Sequence, residues 1–590
     1  MIRNIIALTA IGVLAVAAPA TAEDTHPCAR ATQRCDAAIQ VPLNWDDPGS
    51  ERITVPFTWL PHTDQTRPSA GVIAGLDGGP QPVARSDRAF TDALGPVLAD
   101  HDLLIVERRG FGASSPLRCP DLQIEKPDTV RACANQLGPR AQFFSTDQRV
   151  ADVDAVRRAL GVPSLAVYGD SYGTVDAVAY ATRFPAHTSA VVADSPLMSD
   201  RSGHLIDTTY QDFLRNALNT VGTPCQASQA CRREHPRPAA EIFDLVRTLR
   251  AHPDPKISMS TVDILLRTQA VAGRGREAVA AVADYIDGDQ VPLHRLAAYI
   301  NTDRGGRDEF FRTNTAVLTY QCNDDALPYD RDASPDVRAR QLADYRDRYP
   351  QRPIAAAEVG GNNEDFCLNW PLPRQAPPVP AGAAYPDVPA LTLGGTTEPM
   401  FGGNVVPLAK RFPHGQSVLV PFGGHAASMS GNPACAAELV RSFLVEPAKP
   451  VHATCTAETY RAMGHFPRTS AELPATRVPG LAAAFMTASD LLGQVGPSGL
   501  GPGPQLPGLR GGTFTGDANG VLHLTSVRYV DDIAVSGDIR LVNGTAEADL
   551  TLDSGPKLHL SWRPFQAQDK TTVTGSTDGH PFTVCPPTTT

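Results

Sequence analysis

The chain has 590 residues and a formal net charge of −11, with 42% hydrophobic and 19% charged residues. That balance excludes a disordered polymer, and the lack of a basic stripe excludes a nucleic-acid partner. The length accommodates two or three domains.

Residues 1–22 read as a secretion signal: Arg3 is followed by an apolar run over 5–18 and a small-x-small cleavage site at Ala20-Thr21-Ala22. The run is short for a membrane span, and no later stretch offers about 20 consecutive apolar residues. The expectation is a secreted protein without stable membrane insertion. Ten of the eleven cysteines fall in near pairs: Cys28/Cys35, Cys119/Cys133, Cys225/Cys231, Cys322/Cys367 and Cys435/Cys455. None has zinc-ligand spacing, so disulfides are the natural reading in an exported chain, with connectivity left open. Cys585 is left over and reads as a free, buried thiol.

Between residues 70 and 195, β-rich runs at Ala70–Leu76, Asp102–Glu107, Leu165–Tyr168 and Ala190–Ala193 alternate with helical patterns such as Gln148–Leu160. Strands separated by helices imply βαβ units and a mostly parallel sheet. Residues 200–380 are polar and helix-prone. Strand patterns resume at Ala390–Leu393 and Ser417–Val420, followed by a helix at Ala434–Leu444. An insertion of that size between sheet strands reads as a helical cap. After residue 460 come an amphipathic helix, Leu481–Leu492, a Gly/Pro-rich loop over Gly496–Gly512, and alternating segments over Thr513–Val584. These last predict a small antiparallel β unit. The expected organisation is therefore a signal at 1–22, core at 23–199, cap at 200–380, core again at 381–460, and a C-terminal unit at 461–590.

The chemistry concentrates at Gly169-Asp170-Ser171-Tyr172-Gly173, a G-x-S-x-G motif between the strand pattern LAVY and the helical pattern TVDAVAYATRF. A strand, tight turn and helix present the serine at a strained bend, with helix N–H groups beneath it. Serine needs a base, and a base needs a carboxylate to orient it. His425, in Gly423-Gly424-His425 after the last strand pattern, fits the base; His414 precedes that strand, at the wrong end of the sheet. Glu398, in the loop after Ala390–Leu393, fits the acid, with Asp387 the weaker competitor. Two backbone donors are needed for an oxyanion. Tyr172 should give one and Gly79 the other, with Gly78 behind it, because Pro80 has no N–H.

From Cys28 to Cys455 the chain resembles the exported tripeptidyl aminopeptidase and prolyl aminopeptidase branch of the α/β-hydrolases. The markers are VPLNWDDP (41–48), GGP (78–80), ERRGFGASSPLRC (107–119), GDSYGT (169–174), CNDD (322–325), CLNWP (367–371) and GGH (423–425). The resemblance implies an α/β-hydrolase sheet and hydrolysis that releases residues or short peptides from a free N-terminus, with no metal or cofactor. Three positions depart from the branch's pattern: Gln81 replaces a glycine, and Glu107 and Glu398 replace aspartates. Gln81 is expected to reshape the oxyanion loop or narrow the acyl site. Asp176, early in the helix after the nucleophile, is unusual but favourable near a helix N-terminus. A substrate α-amine calls for carboxylates in the cap; Asp324, Asp325, Glu364 and Asp365 are the candidates, brought together if Cys322 and Cys367 are bridged. The expected partner is a peptide with a free N-terminus. The alternatives are an esterase or lipase on the same triad and a non-catalytic binding protein.

Overall fold

The computed structural model describes residues 25–590 except 84–85, 199–216, 269–274, 299–312, 348–362, 372–375, 399–401, 431–434, 453–454, 456–461, 496–500, 504, 543, 565–571 and 587–590. The signal segment expected at 1–22 lies outside the described residues.

Eight strands form the first sheet: β1 (Cys35–Pro42), β2 (Arg52–Leu60), β3 (Gly71–Leu76), β4 (His101–Val106), β5 (Leu165–Asp170), β6 (Thr188–Asp194), β7 (Pro389–Gly395) and β8 (His414–Val420). Their order is β1-β2-β4-β3-β5-β6-β7-β8. The pairings from β4 through β8 are parallel, and only β1/β2 and β2/β4 are antiparallel. The central strands are buried along nearly their whole length because helices cover both faces. The antiparallel β1–β2 pair was not anticipated. The segment RITVPFTWL has the β-branched and aromatic content of a strand, but Pro56 argues against it. The register resolves this: Pro56 lies beyond the last β2–β4 pair, and its carbonyl accepts the Glu107 N–H at 2.8 Å.

The expected insertion separates β6 from β7 in sequence. Its described elements are helical, among them Pro238–Ala251, Met259–Thr268, Gly275–Ile286, Thr315–Asp324 and Pro335–Asp347. The five near pairs of cysteines are bridged, with Cα–Cα separations of 5.1–5.6 Å. Cys585 is free, as expected, but exposed rather than buried, since it lies past the end of the last strand.

The C-terminal unit is a second sheet, wholly antiparallel, of β9 to β16: Leu506–Pro507, Thr513–Gly516, Leu522–Val530, Ile533–Val542, Thr545–Leu552, Lys557–Trp562, Val573–Thr577 and His580–Val584. Alternate residues of β13 and β14 are buried, giving a single apolar face. The helix Leu481–Val495 covers that face with Leu481, Ala484, Phe485, Ala488 and Leu492. Among the described helices none is long and apolar enough to cross a membrane.

The apolar clusters divide the cap in two. Ala316, Val317 and Tyr320 join the core of the first sheet, while Leu318, Cys322 and Trp370 join a cluster with Cys119 and Cys133. The earlier helices pack instead with Phe466, Leu509, Tyr529 and Val530 of the C-terminal unit.

Candidate active site

In a parallel sheet of this kind, the loops beyond the carboxyl ends of the strands form the ligand crevice. Ser171 lies at the end of β5, where the chain turns into the helix Gly173–Arg183. Its φ is +51°, an uncommon conformation for a residue with a side chain. The turn is this tight because both flanking residues lack Cβ. A Cβ on Gly169 would lie 2.2 Å from the Gly173 carbonyl oxygen, and one on Gly173 would lie 1.8 Å from that of Leu76. The Ser171 N–H donates to the Asp194 carbonyl at 2.9 Å, tying the bend to the neighbouring strand β6.

Glu398 follows β7 and His425 follows β8, the adjacent strand. His425 Nδ1 is 2.8 Å from Glu398 Oε2; the Glu398 side chain is fully buried and the imidazole is 13% exposed. The two loops interlock. The N–H and hydroxyl of Thr397 donate to the Gly423 carbonyl, and the Phe422 N–H donates to the Thr396 hydroxyl. Phe422 and Ala426, on either side of His425, both have positive φ. The decoys sit elsewhere: His414 and Asp387 form an exposed pair with each other, at the opposite end of the strands.

Three polar residues that the sequence did not single out support the histidine loop. Ser195, itself at φ +54°, accepts the Ala426 N–H at 2.8 Å. Asp194 accepts the Ser428 N–H at 2.8 Å and the Ser428 hydroxyl. Burial pushes the Asp194 carboxyl up to about 6, although Ser428 and His425 favour its anion. A strand ending in Asp-Ser was the available signal, but Asp-Ser dipeptides are too common to carry that meaning.

The loop after β3 runs through Asp77-Gly78-Gly79-Pro80. A Cβ on Gly78 would lie 2.8 Å from that of Ser171, so this loop abuts the serine. The Gly78 N–H is donated to Asp77 Oδ1 at 2.7 Å, and Gly79 has φ +120°. The departures from the family pattern serve this loop. Gln81 turns back to donate to Asp77 Oδ2 at 3.0 Å, and Glu107 Oε1 accepts the N–H groups of Val83 and Arg108.

Tyr172 points away from the sheet into the cap. Its hydroxyl donates to Asp324 Oδ2 at 2.6 Å, and Asp324 also accepts the Thr146 N–H. Asp324, expected to meet a substrate amine, is thus buried and occupied by protein donors. Burial pushes its carboxyl up to about 7, against the hydrogen bonds from Tyr172 and Thr146 that favour the anion. Asp325 is close enough to Tyr172 to act on its hydroxyl electrostatically. The Cys322–Cys367 bridge joins the helix bearing Asp324 to the short helix bearing Asp365; the side chain of Glu364 lies outside the described residues. Beneath Tyr172, Arg108 stacks between the rings of Tyr172 and Tyr320, 5.4 and 5.3 Å from their centroids. It pairs with Asp176 at 2.9 Å, both side chains fully buried. Asp176 is therefore a buried counter-ion, a stronger reason for its presence than the helix terminus.

Two protein families match the chain: the α/β hydrolase fold over residues 78–223 and TAP-like protein over residues 353–455. With the strand order above, they define an α/β-hydrolase fold. Within that fold the chain is similar to TAP-like proteins over residues 353–455. Serine protease Hip1 of Mycobacterium tuberculosis is 25% identical over 348 residues, covering 55% of this chain and 64% of that protein. The putative hydrolase YuaR of Escherichia coli is 21% identical over 463 residues, covering 71% and 87%. A tripeptidyl aminopeptidase of Streptomyces coelicolor is 25% identical over 189 residues, covering 28% and 35%. The chain thus spans less than two-thirds of the length of Hip1.

Proposed function

We propose that this protein is an exported serine peptidase that cleaves near the free N-terminus of peptides, with Ser171, His425 and Glu398 as its triad. The observation that carries the reading is the 2.8 Å contact between His425 and the buried Glu398, on loops at the same end of the sheet as the strained Ser171 bend. Glu398 holds one imidazole tautomer, so that Nε2 accepts the Ser171 proton as the hydroxyl attacks the carbonyl. Tyr172 N–H, in the unpaired first turn of its helix, and Gly79 N–H stabilise the oxyanion. Gly78 is the poorer donor because its N–H is already given to Asp77. The imidazolium then protonates the leaving amine, and water repeats the cycle on the acyl-enzyme.

For the substrate amine we propose the cap carboxylates Asp325, Asp365 and Glu364, with Asp324 holding the helix Thr315–Asp324 to the nucleophile turn. Five disulfides fit an oxidising compartment, in line with the signal read at residues 1–22. Ser171→Ala should abolish both turnover and labelling by a fluorophosphonate; full activity in that variant would sink the triad. Tripeptidyl amides should be cleaved at least ~10-fold faster with a free amine than N-acetylated. Indifference to acetylation would favour an esterase on the same triad.

A further inference from the structure

Asp170, the variable residue before the nucleophile, has no part in the steps above, yet it is buried to 7% exposure. Its Oδ1 is shut away from solvent without a hydrogen-bond partner. Along the ends of three adjacent strands stand Asp77, after β3, Asp170, at the end of β5, and Asp194, paired in register with Asp170 on β6. Gly78 is where the first two meet. Its N–H is 2.7 Å from Asp77 Oδ1, and a Cβ built on it would lie 3.3 Å from Asp170 Oδ2.

The surroundings treat the two carboxyls differently. Asp77 collects donors as an anion does: Gly78 N–H on one oxygen, and Gln81 Nε2 and the Ser86 hydroxyl on the other. Arg108 approaches the main-chain carbonyl of Asp77 at 2.9 Å. The charged and titratable groups facing Asp170 are Asp77, Asp194 and, from its own strand, Tyr168. Among the described residues no basic side chain hydrogen-bonds it. Two neighbouring carboxylates repel each other as anions, and of this pair Asp170 is buried whereas Asp77 is half-buried, which puts the shared proton on Asp170.

We propose that Asp170 is a positioning residue that keeps its proton, donates it in a hydrogen bond to the Asp77 carboxylate, and so pins the Gly78–Gly79 turn against Ser171. Burial, with Asp77 and Asp194 alongside, pushes the Asp170 carboxyl well above the ordinary range against the opposing Gly78 N–H, in the sense this requires. Ionisation at high pH would place two anions beneath the turn, and the Gly79 donor would lose its distance to the oxyanion. The inference rests on Ser171 as nucleophile and Gly79 as donor.

The test compares the full-length protein with Asp170→Asn and Asp170→Ala from pH 5 to 10. It reads the rate of fluorophosphonate labelling of Ser171, and kcat and KM on a tripeptidyl amide. Asp170→Ala should lower kcat ~10–100-fold, less than the ~100–1,000-fold of losing one oxyanion donor outright because the donor is displaced rather than removed, with KM within about threefold. Asp170→Asn can still donate to Asp77, so it should recover most of that loss. It should also lack the alkaline fall in kcat that the wild type shows. A full kcat in Asp170→Ala, a loss in Asp170→Asn as deep as in Asp170→Ala, or an alkaline fall that persists in Asp170→Asn would each overturn the proposal. If Asp170→Ala does not fold, the pH profile of Asp170→Asn decides alone. A wild type that resists labelling defeats the nucleophile assignment instead, so the two failures are distinct.

Discussion

The two halves of the cap are held by different chemistry and attached to different bodies. The inner half, around Thr315–Asp324, is fastened to the hydrolase sheet. Tyr320 stacks on Arg108, Asp324 accepts from Tyr172, and Asn323 Nδ2 donates to the Ala141 carbonyl at 2.9 Å. The outer half shares a core with the C-terminal unit and is fastened to it by buried ion pairs. Arg295 bridges to Asp490 of the helix Leu481–Val495, and Arg510 reaches Asp289. The inner half is thus tied to the turn that bears Ser171, whereas the outer half and the C-terminal sheet are one packed body. The C-terminal β unit has a structural role: it shares an apolar core with cap helices that do not join the core of the hydrolase sheet.

The largest effect should come from breaking the outer attachment. Arg295→Ala leaves Asp490 and Glu277 as buried carboxylates and should cost about 3–5 kcal/mol. Calorimetry should show the loss in the unfolding of the cap–tail body, while fluorophosphonate labelling of Ser171 in the folded protein stays near wild type. Equal loss of labelling would erase the distinction between the halves. Opening the inner staple comes next. Replacing Cys322 and Cys367 by Ser releases a closure of 45 residues and should cost about 2–4 kcal/mol, with KM for free-amine peptides rising as the acidic helices separate. Tyr172→Phe should lower kcat by roughly tenfold, the price of leaving the buried Asp324 without its donor. An unchanged kcat would mean that the cap does not bear on the nucleophile turn.

The smallest effect is in pH. Asp324 has a folded pKa of about 7, above its unfolded value of 3.8, so its contribution to stability is full below the unfolded value and declines as pH rises towards 7. Asp324→Asn removes that decline. Its melting temperature relative to wild type should therefore improve from pH 4 to pH 8, by ~1 °C or more. A flat difference would show that Asp324 is charged without penalty.

Much of this was legible in the chain. Near-continuous apolar runs gave the parallel strands, because a strand covered on both faces has no polar side to show. Gly169 and Gly173 announced the bend, because no other residue fits their contacts with Gly173 and Leu76. The β1–β2 pair was less visible, since Pro56 tells against a strand unless its place beyond the β2–β4 pairing is known. Asp170, Asp194 and Ser195 were not legible as a group. They come from strand ends, and their meaning lies in which neighbours they face across the sheet.

By itself, the sequence determined that a mostly parallel sheet is interrupted by an inserted cap, that Ser171 sits on a strand-to-helix turn, and that Glu398 and His425 are the candidates to join it. These are local signals, set by period, glycine and turn chemistry within a few residues. Only the tertiary structure decided that Asp324 is held by Tyr172, that Asp176 is a counter-ion to Arg108, and that the outer cap belongs with the C-terminal sheet. Burial makes the difference: a carboxylate near water needs no partner, whereas an excluded one is defined by the donors the fold brings to it.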